Sequence, residues 1–135
     1  MYTPIRWQQR FQNFEKAFFL LRESLKLKKL SQLEKEGIIQ RFKYTFELAW
    51  KTLSDYLKNQ GIEIVENTPK MVIKTAFGAN IIKNSDLWIK MLVHRNTMSH
   101  QYNFSKYEEI ISNLRNSHVK LLNNFYLSFK SKIDE

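Results

Sequence analysis

Apolar residues in the first half of the chain recur at alternating steps of four and three positions, which predicts two long amphipathic helices. We expect the first helix from about Pro4 to about Lys29 and the second from Ser31 to just before Gly61. The apolar seam of the first helix consists of Trp7, Phe11, Phe14, Phe18, Leu21 and Leu25. The seam of the second consists of Ile39, Phe42, Phe46, Ala49, Leu53 and Tyr56. Ser31 and Glu34 fit a capping box, and Gly61 suits a left-handed helix stop.

The second half of the chain predicts one short helix and two longer ones. Thr68 and Pro69 give an N-cap and a first-turn proline to the short helix, which should stop near Gly78. The next helix opens at residues 84–86, and the last has its seam at Tyr107, Ile111, Leu114, His118, Leu121 and Phe125. Short connections favour antiparallel neighbours. We therefore predict a single all-α domain over residues 1–135, an up-and-down four-helix bundle with an additional short helix.

The composition agrees with helices and removes several classes of chemistry. Only three Gly and two Pro occur in 135 residues, too few for the tight turns of an all-β fold. The absence of Cys excludes disulfides, thiolate metal ligands and cysteine nucleophiles. Residues 1–10 hold no apolar signal segment, and no uncharged apolar stretch is long enough to span a membrane. We therefore expect a cytoplasmic protein.

The formal net charge of +9 indicates either a lysine-rich soluble surface or a negatively charged partner. Such a partner would be a nucleic acid or an acidic protein, and charge alone does not separate the two. The basic residues are spread along the chain, and Lys26, Lys28 and Lys29 come nearest to forming a cluster.

The fourth helix carries an arginine in a core position. Its seam, continued at the same steps, is Trp88, Met91, Leu92, Arg95, Met98 and Tyr102. A buried guanidinium without a partner is strongly unfavourable. Arg95 therefore either has a carboxylate partner, or faces a crevice where an anion binds, or extends to solvent from the bundle edge.

His100 lies five residues after Arg95 and about 140° around an ideal helix, so the two do not share one stripe. They would converge if the helix loosens near its end, or if a second copy of the chain supplies one side of the site. Together they suit metal-free RNA cleavage, because arginine stabilises charge on a phosphate and histidine transfers protons. Asn96 and Ser99 would orient them. The alternative for His100 is a surface or capping role.

The other histidines and the nearby acidic residues offer little further chemistry. His118 lies in the core register of the last helix, which predicts an interior or interface histidine, whereas the helical face of His94 predicts a surface one. The acidic residues near the motif are Asp86, Glu108 and Glu109. Neither a metal-binding histidine spacing nor a glycine-rich phosphate loop occurs, so we expect no metal site and no cofactor.

Two segments resemble a known family. The sequence of residues 40–53 is similar to the second-helix signature of the nucleotidyltransferase substrate-binding proteins, and it reads QRFKYTFELAWKTL. Arg95, His100 and Tyr102 resemble the R-x4-6-H-x-Y motif of that family, with a four-residue spacer. The family belongs to the HEPN superfamily, and the resemblance covers nearly the whole chain.

This resemblance implies a four- or five-helix bundle that forms a homodimer, with a minimal nucleotidyltransferase (MNT) as its partner. In many such pairs the HEPN protein is a ribonuclease toxin that cleaves RNA, and the MNT is its antitoxin. By this match Arg95 and His100 are the nuclease pair, with the motif at the dimer interface. Tyr102 is the residue to which the MNT transfers AMP.

An AMP group on Tyr102 would bring negative charge close to His100, pair with Arg95 and repel RNA phosphate. Relatives often carry an acidic residue immediately before the motif arginine, whereas this chain has His94 and lacks that carboxylate. Two rival functions stay open. One is a non-catalytic substrate-binding subunit of the nucleotidyltransferase, and the other is a structural bundle with an inactive motif.

Overall fold

The computed structural model describes residues 5–100 and 104–134, except the side chains of Ser99 and His100, and these ranges are helical without strands. Helices α1 to α4 are Arg6–Ser24, Gln32–Asn59, Pro69–Gly78 and Ser85–His100. Helix α5, Phe104–Asn113, continues through a π-helical turn, Leu114–His118, directly into α6, Val119–Asp134. The predicted helical bundle with an additional short helix, α3, is confirmed.

Local capping sets both ends of α2 as the sequence predicts. Glu34 N donates to Ser31 Oγ at 3.1 Å and Ser31 N donates to Glu34 Oε1 at 2.8 Å, which completes the capping box. At the other end Gly61 has a φ of +73°, and Ile62 N donates to Leu57 O at 2.9 Å. Glycine adopts this left-handed conformation without the strain that a side chain would add.

Helix α1 ends at Ser24, whereas the periodicity predicts an end near Lys29. Ser24 Oγ donates to Leu21 O at 2.7 Å. The amides of Lys26 and Leu27 then bond three residues back, at 3.2 Å and 3.3 Å, which tightens the chain into a turn. The seam has no further apolar member after Leu25, so packing does not stabilise another helical turn.

The centre of the bundle is α2, which packs against α1, α3, α4 and α5. The predicted seams of α1 and α2 are buried, apart from Leu25 and Tyr56, which are half-buried. Aromatic rings of α1 and α6 meet edge to face, with the Phe14 and Phe125 centroids 4.8 Å apart. The aromatic residues of the α1 seam are therefore core residues.

The π-helical turn brings His118 against α4. The predicted seam of the last helix is buried, His118 included. His118 stacks on Phe42 with ring centroids 6.0 Å apart, and its Nε2 is hydrogen-bonded to His94 Nδ1 at 2.9 Å. The surface position predicted for His94 is wrong. Its ring is half-buried because it satisfies a ring nitrogen of His118 that would otherwise be buried alone.

Burial, and then repulsion from His94 and Lys90, lowers the pKa of His118 to about 4. Burial and Lys90 also lower the pKa of His94, and Glu109 opposes that effect. Both rings are therefore neutral at pH 7, where one donates the hydrogen bond and the other accepts it. An unfolded chain has the ordinary histidine pKa of about 6.5, so it binds more protons than the folded chain below that pH.

Acidification from pH 7 to pH 5 should lower the free energy of unfolding by about 2 kcal/mol through His118 alone. The loss begins as the pH falls below about 6.5, because the unfolded histidine becomes protonated while the folded one does not. Urea unfolding at both pH values measures it. In His118→Gln, which keeps a polar side chain but does not titrate, the loss should shrink by about that amount. Equal losses in the two proteins would contradict this account.

Candidate functional site

Helix α4 carries the motif arginine at the margin of the core. The helix follows Asn84, whose φ of +59° turns the chain, and it buries Trp88, Met91 and Met98. Arg95 occupies the same seam, as the sequence predicts, but its side chain is 28% exposed. The guanidinium thus lies at the rim of the bundle, where it contacts both protein and solvent.

Glu47 of α2 is the carboxylate partner of Arg95. Arg95 Nη2 donates to Glu47 Oε2 at 2.7 Å, and Arg95 Nη1 donates to Asn96 Oδ1 at 2.9 Å. Of the three placements that the sequence allows for Arg95, the structure therefore shows the ion pair. A charge-assisted bond of this length fixes the plane and the direction of the guanidinium.

Sequence reasoning missed Glu47, because it considered only acidic residues near the motif along the chain. Glu47 is 48 positions from Arg95, and only the packing of α2 against α4 brings the two together. One signal was available in the sequence, since Glu47 stands between the apolar Phe46 and Leu48. An acidic residue between two apolar ones in a long helix is a candidate for pairing with a neighbouring helix. Glu47 thus supplies the carboxylate that the sequence lacks immediately before Arg95.

Two cations share Glu47. Lys51 Nζ lies 3.4 Å from Glu47 Oε1, one turn along α2. Burial raises the pKa of Glu47, but the Trp50 indole, Arg95 and Lys51 together outweigh burial and lower the pKa below its ordinary value. Glu47 is therefore ionised at neutral pH, and the cluster carries an excess of one positive charge.

The Arg95–Glu47 ion pair contributes more to the orientation of the guanidinium than to the stability of the fold. Both side chains are partly exposed, at 28% and 29%, so solvent screens their attraction. Such a pair contributes about 1 kcal/mol or less to folding. Its main effect is to hold a cationic fork in one direction at the end of α4, beside Lys51.

The remaining motif residues fall at the edge of the described ranges. Helix α4 stays helical through His100, so positions 95 and 100 stand about 140° apart around its axis. The side chains of Ser99 and His100, and all of Tyr102, lie outside the described residues. The structure therefore brings Arg95 and Asn96 together, whereas the meeting of Arg95 with His100 stays a prediction.

Neither a metal site nor a membrane span is found in residues 5–100 and 104–134. Within these ranges no three His, Cys, Asp or Glu side chains are grouped so that they could hold a metal ion. None of the helices there combines the length and the apolar character that crossing a membrane requires.

Comparisons with known proteins agree with the family resemblance and with the fold. The family model described as nucleotidyltransferase substrate binding protein like matches residues 9–131. A crystal structure of a protein from Thermus thermophilus is similar, with a TM-score of 0.74 and 32% identity, covering 83% of this chain and 94% of that one. No curated protein sequence matches the chain. The chain therefore belongs to the nucleotidyltransferase substrate binding protein-like family of the HEPN superfamily.

Proposed function

We propose that the protein is a metal-independent ribonuclease, the toxin of a HEPN/MNT toxin–antitoxin pair that acts in the cytoplasm. The observation that carries this proposal is the ion pair between Arg95 and Glu47. It holds the motif arginine at the rim of the bundle beside Lys51, with an excess of positive charge that suits a phosphate. Membership of the HEPN superfamily supports the same function.

In the proposed reaction a ribose 2′-oxygen forms a bond to the adjacent phosphorus, and the bond from phosphorus to the 5′-oxygen breaks. His100 either takes the proton of the 2′-hydroxyl, while water gives one to the leaving 5′-oxygen, or gives that second proton, while water takes the first. Arg95 donates to the non-bridging oxygens, on which negative charge grows in the transition state. Asn96, which accepts from Arg95, and Ser99 orient the pair. Glu47 acts through Arg95 and is a positioning residue.

A homodimer with the motif at its interface would complete this site. Positions 95 and 100 stand about 140° apart around the axis of α4, so they do not share one stripe of the helix in a single copy. A two-fold contact along this end of α4 would place His100 of one copy near Arg95 of the other. The proposed active form is therefore the dimer.

The proposed regulator is an MNT-type nucleotidyltransferase. It would transfer AMP from ATP to the Tyr102 hydroxyl, with the hydroxyl proton lost and pyrophosphate released. Tyr102 lies two residues from His100, so the attached phosphate would bring negative charge to the site. That charge would pair with Arg95 and compete with the phosphate of RNA.

The second candidate function is a non-catalytic subunit that presents a substrate to the nucleotidyltransferase. The matching family, described as nucleotidyltransferase substrate binding protein like, favours it. A structural bundle with an inactive motif is a third. Expression with and without the partner separates the toxin from its two rivals. Growth arrest that the partner relieves supports the toxin, whereas normal growth under both conditions supports its rivals.

RNA cleavage in the presence of EDTA should fall at least about 100-fold in Arg95→Ala and in His100→Ala, because each removes one half of the proposed chemistry. A short RNA with a fluorophore and a quencher measures the rate. Lys16→Ala, an exposed change on α1, is the control, and unchanged melting temperatures show that the variants fold. Equal cleavage by the wild type and His100→Ala would rule out the role assigned to His100.

Glu47→Gln should lower kcat about tenfold and leave KM nearly unchanged, because a neutral amide holds the guanidinium too weakly to fix its direction. The same change made in Arg95→Ala should have little further effect, since the two residues act as one unit. Glu63→Gln, which removes an exposed carboxylate, controls for the change in charge. An unchanged or raised kcat in Glu47→Gln would remove the positioning role.

Incubation with the partner nucleotidyltransferase and ATP should add about 329 Da, the mass of one AMP residue, to the tryptic peptide of residues 96–106. Tandem mass spectrometry should place the group on Tyr102, and Tyr102→Phe should abolish the shift. Tyr44, which is exposed on α2, provides an internal comparison. A shift that persists in Tyr102→Phe, or no shift at all, would refute modification of this tyrosine.

A further inference from the structure

A second cationic site adjoins the first across Lys51. The first turns of α1 and the C-terminal half of α2 line an open pocket of about 350 Å³, named here the α1–α2 basic pocket. Its charged lining consists of four cationic side chains, Arg6, Arg10, Lys51 and Lys58, and of the carboxylate of Asp55. The proposed nuclease chemistry uses none of them directly.

Ion pairs that stabilise the fold do not account for all the cationic side chains that line the α1–α2 basic pocket. Arg10 Nε lies 3.1 Å from the buried Asp55 Oδ2, which already satisfies that carboxylate. Arg6 approaches Asp55 at 3.7 Å, but its side chain is 78% exposed, and Lys58 is exposed as well. Lys51 is paired with Glu47, so the other three cations against Asp55 leave two positive charges in excess. Such a concave cationic surface attracts a polyanion.

Lys51 and Trp50 join the pocket to the Arg95 site. Lys51 lines the pocket and also lies 3.4 Å from the carboxylate of Glu47. Trp50, one turn from Glu47 on α2, also borders the pocket. The pocket and the Arg95–Glu47 pair are therefore two parts of one cationic surface that follows α2.

We propose that the α1–α2 basic pocket binds a backbone phosphate of the same single-stranded RNA whose scissile phosphate lies at Arg95. This inference rests on the proposed ribonuclease function and names a subsite for its substrate. Arg6 and Lys58 supply the charge-assisted contacts to the phosphate. Because these contacts are to the backbone, the subsite sets the position of the strand without reading its sequence.

The spacing along α2 gives the length of RNA required. Glu47 and Lys58 are separated by about 16 Å along the helix axis at about 1.5 Å per residue. A stacked strand that rises about 3.4 Å per nucleotide covers this distance in about five nucleotides. An octanucleotide therefore reaches both sites at once, whereas a dinucleotide reaches only one.

The test uses 2′-O-methyl RNA, which lacks the attacking hydroxyl and is therefore bound without being cleaved. Fluorescence anisotropy compares a dinucleotide with an octanucleotide at several salt concentrations. The pocket variant is Arg6→Gln with Lys58→Gln. The matched control is Lys16→Gln with Lys120→Gln, which removes the same charge from two exposed lysines outside the pocket.

The pocket variant should bind the octanucleotide at least about fivefold more weakly than the control variant does. Its slope of log affinity against log salt should be shallower by about 0.7, the value for one phosphate contact on a single strand. For the dinucleotide, which reaches only one site, the difference in affinity between the pocket and control variants should be much smaller than for the octanucleotide.

Equal octanucleotide binding by the pocket and control variants overturns the subsite. The ribonuclease proposal then still stands or falls on the separate cleavage assay. Failure of the wild type to bind the octanucleotide overturns both proposals. Binding of both variants to the nucleotidyltransferase is measured separately by pull-down. A pocket variant that binds RNA normally but no longer binds the nucleotidyltransferase assigns the pocket to an acidic partner surface and overturns the RNA subsite.

Discussion

A guanidinium in the core register of a helix needs a negative partner, and in this bundle another helix provides it. Glu47 of α2 meets Arg95 of α4 at 2.7 Å, so the register between these two helices determines where the motif arginine points. The pair is partly exposed and adds little stability. It links two segments that are independent in the sequence, the second-helix signature and the R-x4-H-x-Y motif.

Helix α2 serves both the core and the charged surface. Its apolar face lies at the centre of the bundle, with residues such as Phe46 and Leu53 fully buried. On the opposite face Glu47, Lys51 and Lys58 follow one another at four- and seven-residue spacings, which keeps them on one stripe. The burial of one face therefore fixes the line of charges on the other, from the Arg95 site to the α1–α2 basic pocket.

Helix α4 is held on two sides at the level of the motif. Successive residues of an α-helix point about 100° apart, so His94 and Arg95 face different neighbours. Arg95 binds Glu47 of α2, while His94 binds His118 of the π-helical turn at 2.9 Å. π-Helical turns often occur at functional sites. Here the turn carries the buried His118, whose hydrogen bond to His94 joins α4 to the turn one residue before Arg95.

The sequence by itself determined the positions of the helices and the registers within them. The capping box at Ser31, the stop at Gly61 and the core register of Arg95 and His118 all follow from local rules and from a period of about 3.6 residues. Only the tertiary structure decided the partner of Arg95, the burial of His94 and the grouping of cations in the basic pocket. The physical reason is separation along the chain. The deciding contacts join residues 24, 45 and 48 positions apart, and a local period carries no information about which distant helix lies alongside.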